Sequence, residues 1–132
     1  MALSEDVSRI AAVAATHAAQ GQRVAAVLPV ESAARERVYL AAFAASDGRQ
    51  EWLALTDDGV PVTSRERVRE AASIAALVEV AEEAAQQVAD EPRLASLAYL
   101  DSIGGDSSIA AALPAVDELT RDVEQNYKLE LS

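Results

Sequence analysis

The chain reads as an α+β domain: an N-terminal helix, a three-stranded antiparallel meander, then a long alanine-rich helix and one or two further helices packed on the sheet. Three observations predict it. Apolar residues recur at helical spacing before Gly21 and after Thr63, they alternate or run continuously between residues 24 and 56, and short turn sequences separate the runs. A length of 132 residues with 51% hydrophobic content suits one folded domain, 1–132, rather than a disordered chain.

Each element has a local reason. Ser4 followed by Glu5 and Asp6 suits a helix start, where acids meet the positive end of the helix dipole. Val7, Ile10, Ala14 and His17 then share a face, and Gly21 is a stop. Val24 to Val30 favours a strand, with Pro29 pointing to a strand end or a sheet edge. Arg37 to Ala45 is the second strand, and both of its faces are apolar. Ser46 to Gln50 turns the chain into a third strand, Glu51 to Thr56, which Asp57-Asp58-Gly59 ends. Strands this short and sequential, joined by short loops, pair as a meander.

Thr63 to Asp90 reads as one long helix. Thr63 and Glu66 have capping-box spacing, and Ala71, Ile74, Val78, Ala81, Ala85 and Val88 form a seam at intervals of three and four. Half the seam is alanine, so a neighbouring element can approach closely, and Ala81→Leu is expected to overpack it. Ala76 lies on the side away from the seam. Pro92 suits the start of a short helix with Leu94, Leu97 and Ala98, ending before Ile103-Gly104-Gly105. Asp106 or Ser107 suits the cap of a last helical region whose Val116, Leu119, Val123 and Tyr127 share a face, with Pro114 marking a start or a kink. Tyr127, Leu129 and Leu131 alternate with polar residues and could add a strand, but a frayed tail is the expectation.

Helices gathered on one face of such a sheet make a two-layer domain. A second strand apolar on both faces, and a helix of roughly 40 Å beside an expected diameter of about 28 Å, then leave surplus apolar surface. Self-association as a homodimer is the expectation that covers it.

Composition limits the function classes. The net charge of −11 opposes binding to DNA, RNA or anionic lipid. Residues 71–132 carry twelve acids against three basic residues, a solvated acidic half. With no cysteine, thiolate catalysis, disulfides and cysteine-ligated zinc are excluded. Ten of the eleven basic residues are arginine, and with the abundant alanine this suggests a bacterial genome of high G+C content. Glu5 and Asp6 precede the apolar patch from Ile10 to Ala19 where a signal peptide carries Lys or Arg, and no apolar run has membrane-spanning length. A cytoplasmic protein is expected.

No catalytic residue is assigned, because the sole histidine, His17, sits in an apolar stripe and no serine lies in a nucleophile-elbow motif. No metal site is assigned either. Glu79, Glu82 and Glu83 share a helix face but lack the histidine and second motif of a carboxylate-bridged centre, and Asp57-Asp58-Gly59 is not completed as a calcium loop. Gly104-Gly105 lacks the rest of a dinucleotide fingerprint, so no cofactor is expected. Two ligand-binding possibilities remain. Thr63, Ser64 and Arg65, with Arg67 and Arg69, open the long helix and suggest an anion site. Tyr39, Phe43 and Trp52, three of the five aromatic residues, suggest a pocket between sheet and helices. The functional expectation is a non-enzymatic, homodimeric interaction or regulatory module. The alternative is a small-ligand-binding domain or cofactor-independent enzyme, and an acidic mimic of nucleic acid is a third possibility.

Overall fold

A computed structural model describes residues 2–85, 94–104 and 109–132. Helix α1 (Ala2–Ala15) leads into strands β1 (Gln22–Glu31), β2 (Arg37–Ala45) and β3 (Gln50–Thr56). Helices α2 (Arg65–Ala85), α3 (Leu97–Ser102) and α4 (Ile109–Gln125) follow. The α+β organisation read from the sequence is therefore present, and the sheet is an antiparallel meander in the order β1-β2-β3.

The helices do not gather on one face. Strand alternation sends Tyr39, Ala41, Phe43, Leu53 and Leu55 to one side of the sheet, where Ile10 and Ala14 of α1 cover them. Val38, Leu40, Ala42, Trp52 and Ala54 face the other side, against Val68, Ala71, Ile74, Val78 and Ala81 of α2 and Val123 of α4. The domain has three layers, not two. This accounts for the doubly apolar β2: its two faces are covered within one chain, so that strand gives no reason to invoke a second copy.

A bulge at Ala25, between Val24 and Ala26, resets the alternation in β1, so that Val24 and Val27 point to the same α1-covered face. Charged groups pin that layer: Arg9 Nη1 donates to Asp57 O at 2.8 Å, and Arg37 pairs with Asp6 at 3.2 Å.

Several local expectations shift. Ser4 lies within α1, and His17 falls past its end, in a turn where its backbone N–H donates to Ala14 O at 2.9 Å. The long helix is capped by Ser64, not Thr63: its Oγ accepts from Arg67 N at 3.4 Å, and with arginine at that position this is a single cap and not a capping box. Ala71, Ile74, Val78 and Ala81 of the seam are buried, whereas Ala85's side chain and Val88 lie outside the described parts. Ala76 is buried too, at 3% exposure, because α2 packs against both the sheet and α4. The distinction between a seam side and an Ala76 side does not hold. Pro92, Asp106 and Ser107 also fall outside the described residues; α3 is capped by Ser96, which accepts from Tyr99 N at 3.1 Å. Pro114 sits inside α4.

The tail is tied down instead of frayed. Trp52 N donates to Asn126 O at 3.0 Å, and Lys128 N to Trp52 O at 2.9 Å, so Tyr127 lines the outer edge of β3. The Tyr127 hydroxyl accepts from Ala54 N at 3.0 Å and donates to Val62 O. Further on, Ser132 N donates to Thr63 O at 2.8 Å. At the opposite edge, Ala95 N donates to Pro29 O and Ala95 O accepts from Glu31 N, both at 2.8 Å. Residues 29 and 31 thus present their backbone groups outward, and the N–H that Pro29 lacks costs the β1–β2 ladder nothing.

Candidate functional site

Helices α2 and α4 run antiparallel, because Arg65 and Arg69 in the first two turns of α2 both reach Glu124 in the last turn of α4 at 2.8 Å. Between them and the start of β3 lies an open groove of about 590 Å³. Helix α2 contributes Ala76, Glu79, Val80 and Glu83, and α4 contributes Ala115, Glu118, Leu119 and Asp122. These two sets have the same spacing: alanine, an acid three residues on, an aliphatic residue at four and an acid at seven. Positions i, i+3, i+4 and i+7 lie on one face of a helix, so each helix presents one such stripe, and the antiparallel arrangement runs them in opposite directions.

The apolar part is formed by Ala76, Val80, Ala115, Leu119 and Trp52; Gln50, Arg121 and Gln125 complete the lining. Trp52 is held in place through its indole N–H, which donates to Asp122 Oδ2 at 3.0 Å. Asp122 Oδ1 accepts from Asn126 Nδ2 at 2.7 Å, so both of its oxygens have partners. Glu79, Glu83 and Glu118 form no ion pair among the described residues. Like charges four residues apart on a helix cost about 0.2–0.5 kcal/mol per pair, and Glu79–Glu83 and Glu118–Asp122 both have that spacing. The groove therefore combines an apolar floor with carboxylates that repel one another within each wall.

The residues expected from sequence to bind ligands are arranged differently. Thr63, Ser64 and Arg65 do open the long helix, but two of its first amides are engaged: Arg65 N donates to Ser132 O at 3.1 Å, and Arg67 N to Ser64 Oγ. The guanidinium groups of Arg65 and Arg69 are paired with Glu124, and that of Arg67 with Glu36 at 3.2 Å. Tyr39 and Trp52 are not brought together, since Trp52 pairs with Ala42 on the α2 face while Tyr39 and Phe43 belong to the α1 face. Tyr39 is fully buried and its hydroxyl donates to Asp57 Oδ1 at 2.9 Å. Burial raises its pKa above the ordinary tyrosine value, and the contact with Asp57 adds to that shift. Of Thr63, Ser64, Arg65, Tyr39 and Trp52, only Trp52 lines the groove.

Glu118, Asp122, Ala115 and Leu119 were not recognised from sequence as site residues. The signal available was the repeated spacing in residues 76–83 and 115–122, which acquires meaning only once the two helices are seen to pack. Among the described residues, no group of three or more His, Asp or Glu is placed to hold a metal ion, and no helix is long and apolar enough to cross a membrane. Comparison with known proteins gives no family model, no curated protein and no solved structure that matches the chain.

Proposed function

We propose that the protein is a non-enzymatic interaction module that receives a partner in the α2/α4 groove. The observation that carries this reading is the pairing of an apolar floor (Ala76, Val80, Ala115, Leu119) with Glu79, Glu83 and Glu118, which lack ion pairs among the described residues. Such a surface gains from being covered both by apolar burial and by relief of carboxylate repulsion. The alternative, a small-ligand-binding domain, rests on the same groove, whose volume falls within the range of small-molecule sites, about 300–1,000 Å³.

Trp52 is the sole tryptophan and lines the groove, so its emission reports occupancy. Titration with peptides of varied charge and with a panel of metabolites separates the two readings. Saturable shifts with peptides, abolished by Ala115→Phe, support the interaction module. Shifts with a metabolite alone transfer support to the small-ligand reading, and shifts with neither count against both.

Self-association as a homodimer is a second reading, favoured by the outer edge of β1. Arg23, Ala25, Ala26 and Leu28 are exposed there, and no described strand pairs with that stretch. A second copy of β1 would extend the sheet by strand addition, opposed by the bulge, by Pro29 and by the net charge of −11 on each chain. By alternation from residues 29 and 31, Val27 directs its N–H outward. Val27→Pro therefore removes a donor that only the dimer uses. Sedimentation showing a dimer in the parent and a monomer in the variant supports this reading; a monomeric parent removes it and leaves the groove untouched.

A further inference from the structure

We infer that the groove's occupant is a basic, amphipathic helical segment of a partner protein. This rests on the reading of the groove as a partner-binding face and names the chemistry of what it takes. Two antiparallel helices leave between them a furrow into which a third helix packs at the usual interaxial distance of 8–10 Å. Alanine at the same position of each stripe, Ala76 and Ala115, keeps the floor low and lets the third backbone come close. Val80 and Leu119, each four residues further along its own helix, lie on opposite sides of that alanine pair and each meet an aliphatic anchor. Glu79 and Glu83 on one wall, and Glu118 and Asp122 on the other, flank those anchors with four carboxylates against one arginine, Arg121, among the described lining residues.

Charge decides among the possible occupants. A second copy laying the same face into the groove would oppose carboxylates with carboxylates. Nucleic acid would be repelled for the same reason. A small polyamine would match the charge but leave the apolar floor wet. A helix with leucine-type residues on one stripe and Lys or Arg on both flanks satisfies floor and walls together.

The test uses the intact chain and a synthetic peptide of about 14 residues, roughly 21 Å as a helix, with leucines on one face and lysines elsewhere. Its controls are the same composition in scrambled order, the same pattern with glutamate replacing lysine, and spermidine. Trp52 emission and titration calorimetry are the readouts. The lysine peptide is expected to bind and to shift Trp52. Raising the salt from about 0.1 M to about 1 M, which shortens the screening length from about 10 Å to about 3 Å, should weaken it about tenfold or more. The double variant Glu79→Lys/Glu118→Lys should weaken it by a similar factor, at roughly twofold to fivefold per carboxylate. Asp58→Lys, at an exposed turn outside the groove, should change it less than about twofold, the lower end of that range.

Equal binding of the scrambled peptide overturns the inference, because diffuse attraction would suffice. A glutamate peptide that binds as well, with its Trp52 shift blocked by Ala115→Phe, overturns the basic partner while the groove reading stands. A response to spermidine alone overturns it in favour of a small cation. No response to any probe overturns the inference and weakens the groove reading with it.

Discussion

Tyr127→Phe is a direct test of whether residues 126–132 are part of the fold. The phenol oxygen accepts from Ala54 N at 3.0 Å and donates to Val62 O, joining the tail to the edge of β3 and to the segment that enters α2. Ala54 is 0% and Val62 3% exposed, so removing the oxygen leaves a buried N–H and a buried carbonyl lacking that partner. Each such group costs about 1–3 kcal/mol. The ring itself is retained, so no cavity term is added, and the half-buried site allows some rescue by water. A net loss of about 2–3 kcal/mol follows, or roughly 8–12 °C in Tm at about 4 °C per kcal/mol for a domain of this size. Thermal and urea melts on parent and variant measure it. A Tm within about 1 °C of the parent would refute the account of the tail as structural.

The three-layer arrangement makes Ile10→Ala, at a fully buried position of α1, cost about 2–5 kcal/mol, measured by urea denaturation; a loss below about 1 kcal/mol would mean that α1 does not cover the sheet. Ala81→Leu and Ala76→Leu should both destabilise by about 1–3 kcal/mol through overpacking, since both alanines are nearly inaccessible, and a parent-like melt for either would show slack at that contact. Glu51 has its pKa lowered from the usual 4.5, first by Gln22 and then by Lys128, so the folded state binds its proton less readily than the unfolded chain. The stability it contributes is present above pH 4.5 and is lost as pH falls through the lowered folded value. The Tm difference between parent and Glu51→Gln should therefore shrink on acidification, and a difference independent of pH would contradict the Gln22–Glu51–Lys128 clasp.

How much of this was legible in the chain depends on the range of the interaction. Strand boundaries and turns were readable because alternation, Asp57-Asp58-Gly59 and the Ser46–Gln50 turn are local signals. The apolar stripe of Val7, Ile10 and Ala14 was readable too, but the face it covers depends on the path of the chain after Gly21, which no local pattern encodes. The same limit applies to the aromatic residues. Phe43 and Trp52 are close in sequence and nearly opposite in the ladder, yet Trp52 pairs with Ala42, and that one-residue step puts them on opposite faces. The arginines opening α2 suggested an anion site because their partners, Glu36 and Glu124, are distant in sequence. The acidic stripe of α2 was visible as a helix face, but α4 was read only for its apolar face of Val116, Leu119, Val123 and Tyr127.

The measurement that bears most directly on the groove as the binding face is an amide-resolved NMR titration of the labelled protein with the lysine peptide. The account predicts shifts concentrated in residues 76–83 and 115–122, the spans that carry the two lining stripes, and at the Trp52 indole N–H. Shifts concentrated on residues 23–28 of β1, or spread evenly over the acidic surface with those two stripes silent, would contradict it.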